Sequence, residues 1–174
     1  MKIQTLTSEK MYAGRAFNVR RDLVKLPNGK TTRLDIVDHS GAVTILPIDD
    51  QGFIWFVRQY RHPTGGEILE LPAGTLEEGE APLVCAQREI QEEIGMGSRD
   101  LKKIGEFFLA PGYSTEYMYI YLARDLYSSS LPQDEDEILD PVQLHLDEAK
   151  TKIASGEIKD AKTIASLYLA QDFL

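Results

Sequence analysis

Glu89, Glu92 and Glu93 sit in a stretch whose apolar residues recur at helical spacing. On a helix, Glu89 and Glu93 are four apart and share a face, and Glu92, three from Glu89, lies beside them. Clustered carboxylates repel one another by about 0.2–0.5 kcal/mol per pair. A divalent cation turns that repulsion into coordination, and donors that are all oxygen suit magnesium or manganese. Arg88 and Glu80 are placed to pair and brace the loop that leads into the helix. Taken alone, three glutamates fit a solvated helix face better than a metal site, because glutamate is a good helix former.

The elements that must position these residues follow from the apolar pattern. Leu83, Ala86, Ile90 and Ile94 make one stripe over residues 81–94, expected opposite the carboxylates, and Gly95 is placed to end that helix in a left-handed cap. Two more helices are expected, over 147–155 and from Asp160, a good N-cap, through Ile164, Leu167 and Leu169. Strands are expected over 31–39, 42–48, 53–60, 67–71, 104–109, 117–123 and 142–146. This order, without a strict βαβ rhythm, implies a mixed sheet between helices. The acidic run Asp134-Glu135-Asp136-Glu137 reads by composition as a solvated loop.

The chain has 174 residues, enough for one domain with its own core. Its net charge of −9 argues against sequence-independent nucleic-acid binding, which needs a basic surface. No apolar run is long enough for a bilayer, and residues 1–12 lack the apolar core of a secretion signal, so a cytoplasmic protein without a membrane partner is expected. The single cysteine, Cys85, cannot form an internal disulfide and reads as packing rather than a nucleophile. One cysteine and three scattered histidines (His39, His62, His145) do not suit a structural zinc site.

The stretch reads Gly74-x5-Glu80-x7-Arg88-Glu89-Ile90-x-Glu92-Glu93-x-Gly95-Met96. It resembles the Nudix box, G-x5-E-x7-R-E-U-x-E-E-x-G-U with U apolar, at every fixed position. At roughly 7% usage per residue, seven fixed positions make a chance match rarer than about one in a million per chain. The resemblance reverses the reading of the three glutamates. It implies an α/β fold, the Nudix α/β/α sandwich with a mixed β-sheet and an N-terminal β extension. Residues 1–40 would be the dimer-forming strand extension and 41–174 the hydrolase domain. The implied activity is metal-dependent hydrolysis of a nucleoside diphosphate linked to another group. Glu89 and Glu93 would be the main metal ligands, with Glu92 close by and the backbone carbonyl of Ala73 added. Arg88 and Glu92 would belong to the catalytic constellation, and Gly74 would let the backbone approach the metal. Such chemistry is sound: cations neutralise the phosphoryl oxygens and lower the pKa of water, and a separate base takes its proton.

The resemblance extends to the ADP-ribose pyrophosphatase branch. It is carried by Gly41-Ala42-Val43 leading to Leu46-Pro47, by Val57-Arg58-Gln59-Tyr60-Arg61, and by Glu70-Leu71-Pro72-Ala73-Gly74. Pro111, fifteen residues after Met96, the acidic run, and Gly156-Glu157-Ile158-Lys159-Asp160-Ala161-Lys162-Thr163-Ile164 complete it. The branch implies a small-molecule nucleotide-sugar substrate, ADP-ribose, cut to AMP and ribose 5-phosphate. Glu135 is then the expected general base, with Glu137 as auxiliary metal ligand or second candidate base. Arg61 is expected on the diphosphate, with Arg58 the weaker alternative. Phe17 and Arg33 are candidates for stacking the base, although a core role suits Phe17 as well. Glu116 is a candidate for the terminal sugar or a metal, or is simply exposed. Trp55, Tyr117, Tyr119 and Tyr121 read as packing, and His62 as surface. The branch also implies a homodimer that exchanges N-terminal strands. Two alternatives stay open: a pyrophosphatase for GDP-mannose or a UDP-sugar, and a ligand-sensing Nudix domain that does not cut. The box handles only metal and diphosphate and cannot separate the sugars; its completeness disfavours the sensor.

Overall fold

The structure is a computed structural model that describes residues 2–133 and 138–173, and its backbone contacts divide the chain into two units. The first unit holds the chain up to Gly41 together with Phe108–Tyr117. Here β1 (Gln4–Ala13), β2 (Asn18–Lys25) and β3 (Thr31–Asp38) form an antiparallel sheet in that order. The turn between β2 and β3 closes at Gly29, whose φ of 83° suits a residue without Cβ and whose N–H donates to Leu26 O at 2.9 Å. The segment around Pro111 returns beside β3: Val37 N donates to Tyr113 O at 2.8 Å and Thr115 N to Val37 O at 3.0 Å.

The second unit holds Ala42–Phe107 and the chain from Met118 onward. Its elements are β4 (Ala42–Pro47), β5 (Phe53–Arg61), β6 (Gly66–Glu70), β7 (Ala73–Thr75), α1 (Pro82–Ile94), β8 (Met96–Phe108), β9 (Tyr117–Ser128), β10 (Leu139–His145), α2 (Leu146–Ala154) and α3 (Ala161–Leu169). One sheet has the order β7-β4-β9-β8, with β4 antiparallel to β7 and parallel to β9, and is therefore mixed. The other is antiparallel, in the order β10-β5-β6.

Alternation along the strands sends side chains into two separate cores. Val43 and Ile45 of β4, Val57 of β5 and Tyr121 of β9 pack with Cys85, Ala86, Ile90 and Ile94 of α1. Leu46, Ile54, Phe56 and Leu122, from the same strands, pack with Ala149 of α2 and Leu167 of α3. Helices thus cover opposite faces, which is the expected α/β/α sandwich. Each fully buried aliphatic side chain in these cores contributes about 1.5–3 kcal/mol.

Two expectations need correction. Leu83 does not belong to the buried stripe of α1: it is 44% exposed, and Cys85 is buried in its stead. The carboxylates are not opposite the stripe either. Cys85, Glu89 and Glu93, spaced by four, form a row next to Ala86, Ile90 and Ile94, and both rows are buried. Gly95 ends the helix at φ 69°, and its N–H returns to Ile90 O.

Candidate active site

The second unit carries the stretch from Gly74 to Met96 as a strand, a loop and a helix. β7 is fixed to β4 by pairing Thr44 with Ala73 and Val43 with Gly74, and Ile45 N donates to Pro72 O at 2.8 Å. The helix then lays its carboxylate row against this short strand. Ala73 N donates to Glu93 Oε2 at 3.1 Å. A Cβ added at Gly74 would fall 1.8 Å from Cδ and Oε1 of Glu89. Only glycine lets that carboxylate lie against the strand. Glu89 and Glu93 are 8% and 2% exposed, so both are held largely out of water.

Arg88 compensates this negative charge. Its Nη1 donates to Glu89 Oε1 at 2.6 Å and to Glu92 Oε2 at 2.8 Å. Its Nε and Nη2 each meet one oxygen of Glu80 at 3.1 Å, a bidentate pair. Glu80 in turn accepts from Glu77 N at 3.0 Å, which closes the loop before the helix. The Arg88 guanidinium, and then the Glu77 N–H, hold the Glu80 carboxyl below the usual carboxylate range. The pairing of Arg88 with Glu80 is the brace that the spacing implied. Burial, then the charge of Glu89, pushes the Cys85 thiol well above its ordinary value, so it stays protonated at neutral pH and is no nucleophile.

Among the described residues, no three His, Cys, Asp or Glu side chains are already gathered around a point fit for an ion. The donor set still fits a hard divalent cation. Two buried carboxylates lie against a strand where a Cβ has no room, and a guanidinium stands among the acids where positive charge is needed. Glu89 and Glu93, with Glu92 and the adjacent backbone of Ala73, are the groups able to hold such a cation.

The other candidates distribute between the units. Arg61 ends β5, one-third exposed, with Nε donating to Glu70 Oε1 at 2.7 Å. Arg58 Nη2 lies 4.0 Å from Glu157 Oε1. Phe17, Arg33 and Glu116 belong to the first unit. Phe17 and Arg33 are exposed, and Glu116 is half-buried, with its N–H donating to Ser114 Oγ at 3.1 Å. Glu135 and Glu137 lie outside the described residues. Trp55, Tyr119 and Tyr121 pack with the α1 core, and Tyr117 meets Phe108 edge-on at 4.7 Å.

One residue escaped sequence reasoning. Glu70 is 1% exposed, and a carboxylate so buried needs charged partners. The available signal was its place in Ile68-Leu69-Glu70-Leu71, a charge inside an apolar run.

Comparison with known proteins agrees with this geometry. The model of the NUDIX domain matches residues 38–167. The chain is similar to the ADP-ribose pyrophosphatase of Bacillus subtilis (strain 168), 36% identical over 170 residues covering 97% of this chain and 92% of that one. It is similar also to the methanol dehydrogenase activator of Bacillus methanolicus, 38% identical over 170 residues, with the same coverage of both chains. A crystal structure of an ADP compounds hydrolase superposes with a TM-score of 0.88 at 28% identity, covering 100% of this chain and 95% of that one. A box whose carboxylates fold against a glycine strand, inside a match that spans most of the chain, leaves one assignment: this protein belongs to the Nudix hydrolase family.

Proposed function

We propose that the protein hydrolyses the diphosphate bond of a nucleoside diphosphate sugar, ADP-ribose to AMP and ribose 5-phosphate, with magnesium or manganese. The observation that carries this reading is the pair of buried carboxylates, Glu89 against Gly74 and Glu93 on the N–H of Ala73. Similarity over 97% of the chain to an ADP-ribose pyrophosphatase supports the choice of sugar nucleotide.

The chain's residues divide the work. Glu89, Glu93 and the Ala73 carbonyl would hold a divalent cation, with Glu92 beside them. When bound, the cation neutralises phosphoryl charge and acidifies water. Arg88 keeps the carboxylates in place through Glu80, Glu89 and Glu92. Glu135 takes the proton of the attacking water as its oxygen bonds to one phosphorus and the bond from that phosphorus to the bridging oxygen breaks; Glu137 is an auxiliary metal ligand or the second candidate base. Arg61 meets the diphosphate, and Arg58 is its weaker alternative. Phe17 and Arg33 are the candidates to receive the base, and Glu116 the candidate for the terminal sugar or a metal. The protein works in the cytoplasm as a homodimer joined through its N-terminal strands. Among the described residues, no helix is long and apolar enough to cross a membrane.

The test is product analysis with magnesium on ADP-ribose, GDP-mannose, UDP-glucose, NADH, diadenosine polyphosphates and nucleoside triphosphates, with Glu93→Gln as control. AMP and ribose 5-phosphate should appear fastest, and the variant should lose about three powers of ten in rate, roughly 4 kcal/mol of barrier. Faster cutting of another sugar nucleotide would overturn the substrate. Binding without cutting, or a variant of normal rate, would overturn the hydrolytic assignment of these carboxylates.

A further inference from the structure

Glu70 ends β6 three residues before Ala73, and its two oxygens are shared between two cations. Oε1 accepts from Arg61 Nε at 2.7 Å, and Oε2 from Lys162 Nζ. Lys162 belongs to α3 and lies 3.0 Å from Asp160 Oδ2. That same oxygen caps α3, accepting from Thr163 N at 2.9 Å and from Thr163 Oγ1 at 2.6 Å. Thr163 Oγ1 accepts in turn from Leu71 N at 2.8 Å. The relay runs from Arg61 through Glu70 and Lys162 to the head of α3, and returns to the backbone that leads into Gly74. All of it lies in the second unit.

Burial decides what this relay does. The side chains of Glu70, Lys162 and Asp160 are 1%, 12% and 15% exposed, whereas that of Arg61 is 36% exposed. The shielded end is therefore fixed, and the guanidinium is the end that reaches water. Its bond to Glu70 is made by Nε, the nitrogen nearest the stem. Without Lys162, the buried carboxylate would have, among the described residues, Arg61 to neutralise it, and the guanidinium would be drawn inward.

We infer that Lys162 is a positioning residue: it holds Glu70, and Glu70 aims Arg61 at the diphosphate of the substrate. The inference deepens the proposed function and rests on Arg61 meeting that diphosphate. Nothing is transferred along the relay; it fixes one side chain, and Lys162 shares with Arg61 the neutralisation of Glu70.

The experiment is a double-mutant cycle of Arg61→Ala and Lys162→Met, followed by KM and kcat with magnesium on ADP-ribose or GDP-mannose, whichever the unaltered protein cuts faster. Thermal midpoints are measured alongside. Arg61→Ala should raise KM by about tenfold or more, and Lys162→Met by roughly fivefold with kcat nearly unchanged, as expected for loss of ground-state binding. In the Arg61→Ala background, Lys162→Met should add less than about twofold, since both act through one group. A full, additive effect in that background would overturn the inference and leave Lys162 a stability residue, with Arg61 untouched. An unchanged KM in Arg61→Ala would overturn the role of Arg61 itself. If neither sugar nucleotide is cut, the proposed function falls and this inference with it. Should Lys162→Met fail to fold, Glu70→Gln, which keeps the shape of the side chain, takes its place in the same cycle.

Discussion

At Gly74 the distance between a hydrogen and a methyl group decides the site. A Cβ there would meet Glu89 at 1.8 Å, well inside van der Waals contact. Since β7 is held by β4 on one side, the carboxylate is what must move. Gly74→Ala should therefore lower kcat by about a hundredfold, the scale of an ångström-sized misplacement, with the circular dichroism spectrum unchanged. A normal rate would mean that the Glu89 carboxylate does not need its seat against the strand. Glu70 gives the complementary case. Its charge was visible in the sequence, but its partner Lys162 is 92 positions away, and nothing local in either segment announces the other.

Elements were legible where a local signal and a tertiary need coincide. The placing of α1 followed from its stripe and from Gly95, both fixed by helical geometry. The burial of Glu89 and Glu93 did not, because a helical period gives rows and not which row a short strand will cover. β8 shows the opposite failure. It begins at Met96, yet only 104–109 read as strand, because Gly97, Arg99, Asp100, Lys102 and Lys103 interrupt the apolar alternation. The N-terminal sheet carries its own pH dependence. The Ser8 hydroxyl, then Arg20, hold the Asp22 carboxyl below its ordinary value, and Arg21 does the same for Asp35. Groups with depressed folded-state pKa values stabilise above their unfolded pKa, near ~3.9, and lose that contribution as pH falls through the folded values. Amide hydrogen exchange in β1–β3 should then accelerate below about pH 4 beyond its intrinsic pH trend. Equal protection factors at pH 5 and pH 3 would contradict these pairings (both values bracket the ordinary ~3.9).

For the whole molecule, β1 is the outstanding feature. All ten of its residues are exposed, including Leu6, Met11 and Tyr12, and it is an outer strand of its sheet. Natural proteins cover or blunt such edges. That supports the homodimer proposed above, joined by a self-complementary surface. Light scattering should give twice the mass of one chain, and removal of residues 2–13 should halve it. A single-chain mass for the intact protein at micromolar concentration would refute the dimer. The charge of −9 acts at the same scale, since it disfavours sequence-independent contact with a polyanion.

Cys85 gives the molecule a clock. It is the chain's only thiol, fully buried beneath the glycine strand, with Sγ 3.7 Å from Thr75 O. A thiol-specific reagent can reach it when α1 parts from β7, a separation that would also take Glu89 and Glu93 away from that strand. The rate of labelling therefore reads how often α1 and β7 separate, without an engineered cysteine and without turnover.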